Sequence, residues 1–247
     1  MAELRLIYGF HAVTSRIRQN PEGVMEVYLQ SQRHDQRMRD LIRLCETNGV
    51  RVIPVDASRL DGMAGGSRHQ GVAARVDATK RVQHLSDVLE TLTEPPLLLV
   101  LDGIKDPHNL GACLRSADAF GVHAVIAPKD RAVGITPAVE KVACGAAETV
   151  PYITVTNLAR TLREMKEAGV WVVGAAGEAN QDLHGFRHKG SLALVLGAEG
   201  EGLRRLTRET CDELVRIPML GSVESLNVSV STGILLFEAR RQRAMND

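Results

Sequence analysis

The sequence is poor in aromatic residues, in long apolar runs and in N-terminal features of an exported protein. Only 3% of its 247 residues are Phe, Trp or Tyr, which weighs against a surface that binds bases chiefly by stacking. The longest uninterrupted apolar runs, such as Leu97 to Leu101, are far too short to span a bilayer. The N-terminus has no basic segment followed by a long apolar core. We therefore expect a cytoplasmic protein without a membrane segment.

Cysteine is scarce as well, and its spacing excludes two classes of site. The four cysteines are Cys45, Cys113, Cys144 and Cys211. They form no CxxC pair, and no histidine stands at the spacing of a zinc ligand set. Free thiols are therefore expected, with neither a disulfide framework nor a metal site.

The net charge is zero overall, which argues against a protein that coats nucleic acid. The two parts of the chain differ, however. Residues 1–81 contain 13 Lys and Arg against 9 Asp and Glu, whereas residues 82–247 contain 17 against 21. A mildly basic front and a mildly acidic back suggest two domains with different tasks.

The front part, residues 7–76, has the pattern of a small α/β domain. A helix is expected to begin near Phe10, and a second helix to end at Gly49, with short strands between and after them. Its scattered arginines are typical of a solvated surface. The loop over 62–71 is rich in glycine and in hydrogen-bond donors that could contact phosphates. The candidate RNA-contacting residues there are Arg68, His69 and Gln70.

Residues 77–96 lose this pattern and end in Glu94-Pro95-Pro96, so we place a linker there. From residue 97 to 247, short apolar strands alternate with amphipathic helices. This order predicts a mostly parallel sheet with helices on both faces. Ligands of such sheets bind beyond the carboxyl ends of the strands, where three turns qualify: 102–111, 196–202 and 218–227.

The turn LGAEGEG at 196–202 has glycines that would let the backbone approach a ligand closely. Its spacing is GxxGxG, whereas a dinucleotide fingerprint needs GxGxxG with an acidic residue about 20 positions later. That position is near Ile217, so a nicotinamide dehydrogenase is disfavoured. A tight strand-to-helix turn would explain the glycines, but not Glu199 between them.

Two further turns place polar residues at helix starts. In DPHNLGACLRSADAFG, Asn109 lies near a helix start and Arg115 stands in a run of small residues. Arg115 could be a structural ion-pair partner or a ligand for a substrate phosphate or ribose. In SLNVSVSTGILLFE, Ser225 or Asn227 is suited to cap the last helix.

Taken together, NLGACLRSADAFG, LVLGAEGEG and IPM with SLNVSVSTGILLFE resemble, in order and spacing, the three signature motifs of the SpoU or TrmH-like family of RNA ribose 2′-O-methyltransferases. The resemblance covers residues 97–243. The front domain, with YGFHAV and HQGVAARV, is similar to the RNA-binding domain of the bacterial enzymes that methylate a guanosine ribose in 23S ribosomal RNA.

The resemblance implies an L30e-like substrate-binding domain over residues 1–76 and a SPOUT domain over residues 97–247, with a deep C-terminal trefoil knot. It also implies that S-adenosylmethionine binds in the knot. By motif, the residues of that pocket are Gly174, Ala175, Ala176, Leu196, Gly197, Ile217, Met219 and Leu226.

The reaction implied is methyl transfer to a ribose 2′-hydroxyl of 23S ribosomal RNA by a homodimer that associates through the knotted domain. The catalytic cluster carried over from the family comprises Asn109, Arg115, Glu199, Ser225 and Asn227. Arg115 matches the family's proposed base, but arginine is almost always protonated. We therefore expect its guanidinium to hold a phosphate and to steady the developing alkoxide.

Two alternatives share these motifs. The first is a related 2′-O-methyltransferase that acts on tRNA or on another rRNA site; the front domain favours rRNA. The second is a non-catalytic RNA-binding factor for ribosome assembly. Such a factor would be expected to have lost Asn109, Arg115, Glu199 or Asn227, all of which are present.

Overall fold

A computed structural model of the chain describes residues 4–65, 69–77 and 84–245. By its contacts the chain divides into two compact units. Residues 144–149 group with residues 1–81 in the first unit, and residues 82–143 with 150–247 form the second.

The first unit is a four-stranded mixed sheet with helices on both faces. Its elements are β1 (Leu4–Tyr8), α1 (Phe10–Gln19), β2 (Val24–Gln30), α2 (Gln36–Thr47), β3 (Val52–Val55), α3 (Ala57–Ala64) and β4 (Val72–Asp77). The strand order is β1-β4-β2-β3. Strand β4 runs antiparallel to β1 and β2, and β2 runs parallel to β3.

Alternating side chains of these strands build two small cores. On one face Val27 packs with residues of α1 and α2, such as Ile17 and Leu41, all buried. On the other face the next residue, Tyr28, packs against Leu60 of α3. Because side chains of a strand alternate between faces, both sides of the sheet are covered.

The second unit contains a seven-stranded sheet. In chain order, and including the short helix α7 that groups with the first unit, the elements after β4 are α4 (Leu85–Thr91), β5 (Leu97–Asp102), α5 (Pro107–Ala119), β6 (Ala124–Pro128), α6 (Pro137–Ala143), α7 (Ala146–Thr149), β7 (Tyr152–Val155), α8 (Leu158–Glu167), β8 (Trp171–Ala175), β9 (Gln181–Asp182), β10 (Leu192–Gly197), α9 (Arg205–Thr210), β11 (Glu213–Arg216) and α10 (Val228–Ala244). The strand order is β7-β6-β5-β10-β8-β11-β9, and all strand pairs are parallel. The predicted parallel sheet is confirmed.

The centre of this sheet is apolar except for Asp102, the buried last residue of β5. All six residues of β5 are buried, as expected of a central strand covered on both faces. Leu98 and Val195 share a core cluster with Leu162 of α8. On the opposite face α10 contacts β10 and α5. The helices therefore cover both faces of the sheet. The loops lie at the carboxyl ends of the central strands.

Three elements differ from the pattern that the sequence predicts. The residues over 137–148 predict one uninterrupted helix, but the helix ends at Ala143 because Cys144 and Gly145 adopt left-handed backbone angles, with φ of 53° and 98°. Strand β1 and helix α3 were not predicted. In the described part of the predicted linker, 84–96, the weak helical pattern that the sequence shows in LSDVLETL forms α4, whose Val88 lies in a core of the second unit.

Candidate active site

Loops that follow β8, β10 and β11 enclose a cleft of about 400 Å³ in the second unit. Of the residues predicted to hold a cofactor, those that line it are Ala175, Ala176, Leu196, Gly197, Ile217, Met219 and Leu226. The three loops meet because parallel neighbouring strands all end at the same edge of the sheet.

Gly174, the remaining residue of that predicted set, does not line the cleft. It lies within β8, where an added Cβ would come 2.7 Å from Leu214 Cδ2 and 2.8 Å from Leu203 Cδ1. The structure therefore gives Gly174 a packing role: it makes room for the side chains behind the cleft.

The loop after β10 folds back on itself and forms one wall of the cleft. The backbone N–H of Gly202 donates to the carbonyl of Ala198 over 2.9 Å. A Cβ added at Gly197 would lie 2.0 Å from the carbonyl carbon of Gly202. Gly200 and Gly202 have φ of 75° and 66°, which favour glycine. The glycine pattern of LGAEGEG is thus a requirement of the fold of this wall.

A buried carboxylate fixes the far end of the same loop. Asp102, at the end of β5, has a fully buried side chain. It accepts a hydrogen bond from the backbone N–H of Arg204 at 3.0 Å and forms an ion pair with the Arg204 side chain at 3.2 Å. The neighbouring Gly103 leaves space for the guanidinium, since an added Cβ would come 2.8 Å from Arg204 Nη2.

Three of the predicted catalytic side chains meet beside the cleft. Asn227 Nδ2 donates to Asn109 Oδ1 at 2.9 Å and to Glu199 Oε1 at 2.6 Å. Glu199 Oε1 also accepts the backbone N–H of Val228, at 3.3 Å. A carboxylate is favoured at the start of a helix, where the dipole and free N–H groups are positive. The three side chains form one hydrogen-bonded network.

Asn227 is also the N-cap of α10, as the sequence predicted for Ser225 or Asn227. Its Oδ1 accepts from the backbone N–H of Ser229 at 2.9 Å and from the Ser229 hydroxyl at 2.6 Å. The amide therefore uses its oxygen for the helix and its nitrogen for the network, which fixes its orientation.

Asn109 reaches the network because α5 starts at the right place and packs against α10. Asp106 caps α5 by accepting from the backbone N–H of His108 at 3.0 Å, and this bond lowers the pKa of Asp106. The Cys113 thiol on α5 lies 3.4 Å from the hydroxyl of Thr232 on α10. Burial raises the pKa of that thiol to about 11, so it is a neutral packing group.

The structure does not bring the other two predicted catalytic residues into the network. Arg115 lies six residues beyond Asn109 on α5, is exposed, and forms no hydrogen bond or ion pair within the described ranges. Ser225 is exposed and lines the cleft. A guanidinium that is not engaged in the fold is available to a substrate.

Of the three predicted RNA-contacting residues, Arg68 lies outside the described residues. His69 braces its own loop: its Nδ1 accepts from the backbone N–H of Gly71 at 3.0 Å, and its Nε2 lies 2.9 Å from Asp61 Oδ1. Gln70 is exposed, and Arg33 donates to its carbonyl. His69 therefore stabilises the shape of this loop, and Gln70 is exposed to solvent.

Several residues that line the cleft were not among the individually predicted cofactor-binding residues, although Ala198, Gly200, Gly202 and Glu224 lie in the turns 196–202 and 218–227 that the sequence predicted as ligand sites. They are Gly177, Ala198, Gly200, Gly202, Val215, Arg216, Glu224, Val228 and Ser231. Most adjoin predicted residues on the same loops, so taking each loop whole would have found them. Arg216 is paired with Asp182 at 2.6 Å, which leaves Glu199 and Glu224 as the unpaired charges of the lining within the described ranges.

Comparison with known proteins assigns this chain to a family. The SpoU rRNA Methylase family model matches residues 96–237, and the model for the substrate-binding domain of RNA 2′-O ribose methyltransferases matches residues 6–82. The chain belongs to the SpoU rRNA methylase family. The family resemblance carried by the three sequence motifs is thereby confirmed.

Individual relatives of the SpoU family match the chain over its whole length. The 23S rRNA (guanosine-2′-O-)-methyltransferase RlmB of Ralstonia nicotianae is 62% identical over 245 residues, 99% of this chain and 98% of the relative. The RlmB of Escherichia coli is 55% identical over 241 residues, 97% of this chain and 99% of that protein. Similarity at this level extends to both units.

Solved structures of SpoU proteins have the same two-domain fold. The SpoU methyltransferase AviRb from Streptomyces viridochromogenes, solved in complex with the cofactor AdoMet, superimposes with a TM-score of 0.77 at 25% identity. The alignment covers 99% of this chain and 92% of that one.

Among the described residues, no helix is long and apolar enough to cross a membrane.

Proposed function

We infer that the chain is an S-adenosylmethionine-dependent enzyme that methylates the 2′-hydroxyl of a guanosine in 23S ribosomal RNA. The observation that carries this inference is the network of Asn109, Glu199 and Asn227 beside a glycine-walled cleft, in a chain 62% identical to an RlmB enzyme along its full length. The network supplies polar groups for a ribose, and the adjacent cleft supplies a site for a methyl donor.

The cleft fits the cofactor by size and by charge. Its volume of about 400 Å³ lies in the range of small-molecule sites, about 300–1,000 Å³. The unpaired charged groups of its described lining are the carboxylates Glu199 and Glu224, which suit a ligand with a positive sulfonium and amino group. A pyrophosphate would need cations or a helix N-terminus instead. When bound, S-adenosylmethionine supplies an electrophilic methyl group.

The cofactor is held by the backbone and apolar groups of the three loops. We propose that Ala175, Leu196 and Ile217 pack against its adenine, while Gly197 permits close approach of the backbone. Met219 and Leu226 also line the cleft, and Gly174 makes room for the Leu203 and Leu214 side chains packed behind it. Such a site depends on loop shape more than on any one side chain.

The network orients the ribose of the target nucleotide. Asn109 can offer its amide nitrogen to a ribose hydroxyl. Asn227, whose own amide is committed to Asn109, Glu199 and Ser229, holds Asn109 in the orientation for this contact. Glu199 is also a carboxylate within reach of the network that can accept a proton from the attacking hydroxyl. Ser225, at the rim of the cleft, contributes a hydroxyl to ribose or cofactor.

Arg115 binds the phosphate next to the target ribose and stabilises negative charge on the attacking oxygen. Its guanidinium is exposed and uncommitted within the described part of the protein. A planar guanidinium matches phosphate in a bidentate manner. This role needs no deprotonated arginine.

We propose that residues 1–76 bind ribosomal RNA, that residues 77–96 connect the domains and that residues 97–247 carry out methyl transfer. The family-model matches to 6–82 and 96–237 support this division. Arg68, His69 and Gln70 are proposed RNA contacts on the 62–71 loop, and the hydrogen bonds of His69 to Gly71 and Asp61 brace the described part of that loop. The enzyme acts in the cytoplasm, where its substrate is made, and the trefoil knot remains a prediction.

The homodimer expected from the family would use the exposed apolar face of α10. Val230 and Phe237 on this helix are 49% and 58% exposed. Phe237 makes an edge contact with Phe120, with ring centroids 6.3 Å apart, which extends the patch onto α5. Exposed large apolar side chains on one helix are typical of an interface. Sedimentation of wild type and of Phe237→Ser would measure the association.

Methyl transfer from labelled S-adenosylmethionine tests the proposed function. The protein is incubated with unmodified 23S ribosomal RNA, with tRNA, or with neither, and the modified ribose is mapped. We expect label in 23S ribosomal RNA at the 2′-oxygen of one guanosine. Label in tRNA alone would favour the tRNA enzyme, and RNA binding without label would favour the non-catalytic factor.

A further inference from the structure

A second cleft lies in the first unit, between α1 and α2, and is not part of the loop over 62–71. Its volume is about 500 Å³. One wall is the α1 face that carries Thr14, Ser15 and Arg18, and the other is the α2 face that carries Arg37 and Arg43. Thr14 and Arg18 are four apart on α1, and Asp40 on α2 is three positions from both Arg37 and Arg43, so both helices direct polar side chains into the gap.

The floor of the cleft is built from the domain core, which fixes the spacing of the two walls. Phe10 and Leu41 are 6% and 2% exposed and belong to the core cluster on this face of the sheet. Arg33 covers the Phe10 ring, with its guanidinium carbon 4.8 Å from the ring centroid. Because the Phe10 ring is almost wholly buried, the floor offers little surface for base stacking, and recognition depends on the polar rim.

The three arginines of the rim are not used by the fold. The side chains of Arg18, Arg37 and Arg43 are exposed and form no hydrogen bond or ion pair within the described ranges. Most other arginines of this unit are engaged: Arg33 pairs with Asp35, and Arg51 pairs with Glu26 at 3.3 Å. Concentration of unpaired guanidinium groups around one cleft indicates an anionic ligand.

The single carboxylate of the cleft does not cancel this charge. Asp40 accepts a hydrogen bond from Gln36 at 2.8 Å and stands against three arginines. The cleft therefore has a net positive charge, and threonine and serine side chains also line it. Guanidinium groups with interspersed hydroxyls suit consecutive phosphates and ribose hydroxyls of an RNA backbone.

We propose that this cleft binds an unpaired segment of the ribosomal RNA substrate through its backbone, as a second contact surface apart from the 62–71 loop. A cleft of this volume takes a nucleotide and its flanking phosphates, whereas a duplex would meet only the rim. The proposal rests on the proposed function, because it takes ribosomal RNA as the ligand.

The test compares two sets of charge removals in the full-length protein. The cleft variant carries Arg18→Gln, Arg37→Gln and Arg43→Gln. The matched control loses three exposed arginines that do not line the cleft, namely Arg39→Gln, Arg51→Gln and Arg59→Gln. A third variant has lysine at the three cleft positions. Binding to an unmodified 23S ribosomal RNA transcript is measured by filter retention across a range of salt concentrations.

Each lost phosphate contact reduces the slope of log affinity against log salt by about 0.7–0.9. We expect the cleft variant to lose about 2–3 in slope and about a hundredfold in affinity near 0.1 M salt. The control should lose little, and the lysine variant should keep the slope because it keeps the charges. Affinity for S-adenosylmethionine should be unchanged in all variants.

The proposal is overturned if the cleft variant binds the transcript within about threefold of wild type with the same slope, or if the control loses as much. Methylation is scored separately. Wild type that binds the transcript through the cleft but transfers no methyl group refutes the proposed function and leaves the cleft standing. A cleft variant with full binding and full methylation refutes the cleft alone.

Discussion

Replacing Gly197 by alanine should weaken cofactor binding while leaving the protein folded. An added Cβ would lie 2.0 Å from the carbonyl carbon of Gly202, 2.1 Å from its oxygen and 2.4 Å from the nitrogen of Leu203. Real Cβ contacts almost never fall below 3.0 Å, so the backbone must move by about 1 Å. No flexible side chain can absorb this displacement, because the atoms involved are all backbone.

The affected segment is the wall of the cleft, since Gly197 and Gly202 both line it. Adding a methyl group to a well-packed region costs about 1–3 kcal/mol. The cost is near the upper end of this range when the clash is with backbone atoms. A cost of about 2–3 kcal/mol expressed in binding corresponds to a Kd about 30- to 150-fold higher.

Isothermal titration with S-adenosylmethionine measures this change, and circular dichroism checks the fold. Gly134→Ala is the control, because it makes the same change in the same unit at a glycine with open space around it, away from the cleft. Cofactor affinity of the Gly197 variant equal to that of wild type would refute the assigned cleft.

Three further substitutions test Arg115, the network and the last helix. Arg115→Lys keeps the charge but loses the guanidinium fork, so single-turnover methylation should fall at least about tenfold with cofactor affinity intact; near-normal turnover contradicts the phosphate role. Asn227→Asp keeps a capping oxygen but sets a second carboxylate beside Glu199, so methylation should fall while thermal stability changes by less than about 1 kcal/mol. The guanidinium of Arg241 holds the pKa of Glu238 at about 2, below the usual 4.5, so its stabilisation is present above pH 4.5 and lost as the pH falls towards 2. Glu238→Gln should remove this part of the acid dependence of unfolding; an unchanged curve would show that the pair contributes nothing.

The sequence predicted the second unit well because its strands are continuous apolar runs. The six buried residues of β5, and the corresponding run in β10, are unmistakable in a parallel sheet. Strand β1 was missed because its burial follows no strict alternation, with Leu4 52% exposed. Helix α3 was missed because Gly62 and the glycines after it read as a turn.

The site was predictable in its parts and not in its contacts. The motifs located Asn109, Glu199 and Asn227, but their shared hydrogen bonds depend on how α5 packs against α10. Gly174 does not line the cleft but packs against Leu203 and Leu214. Its position in a motif gives no information about these neighbours. Likewise, Arg18, Arg37 and Arg43 come together at one cleft only because α1 packs against α2, which the sequence does not reveal.

The hydrogen-bonded network also determines when the protein becomes competent during synthesis. Asn109 and Asn227 are separated by 118 positions, and Glu199 lies 28 positions before Asn227. Contacts between such distant positions form late in folding because closing a long loop is entropically costly. A nascent chain that has left the ribosome only as far as β10 lacks β11, Asn227 and α10, so neither its sheet nor its site is complete. Methyl transfer begins only after α10 has docked, so the last helix acts as a checkpoint on completed folding.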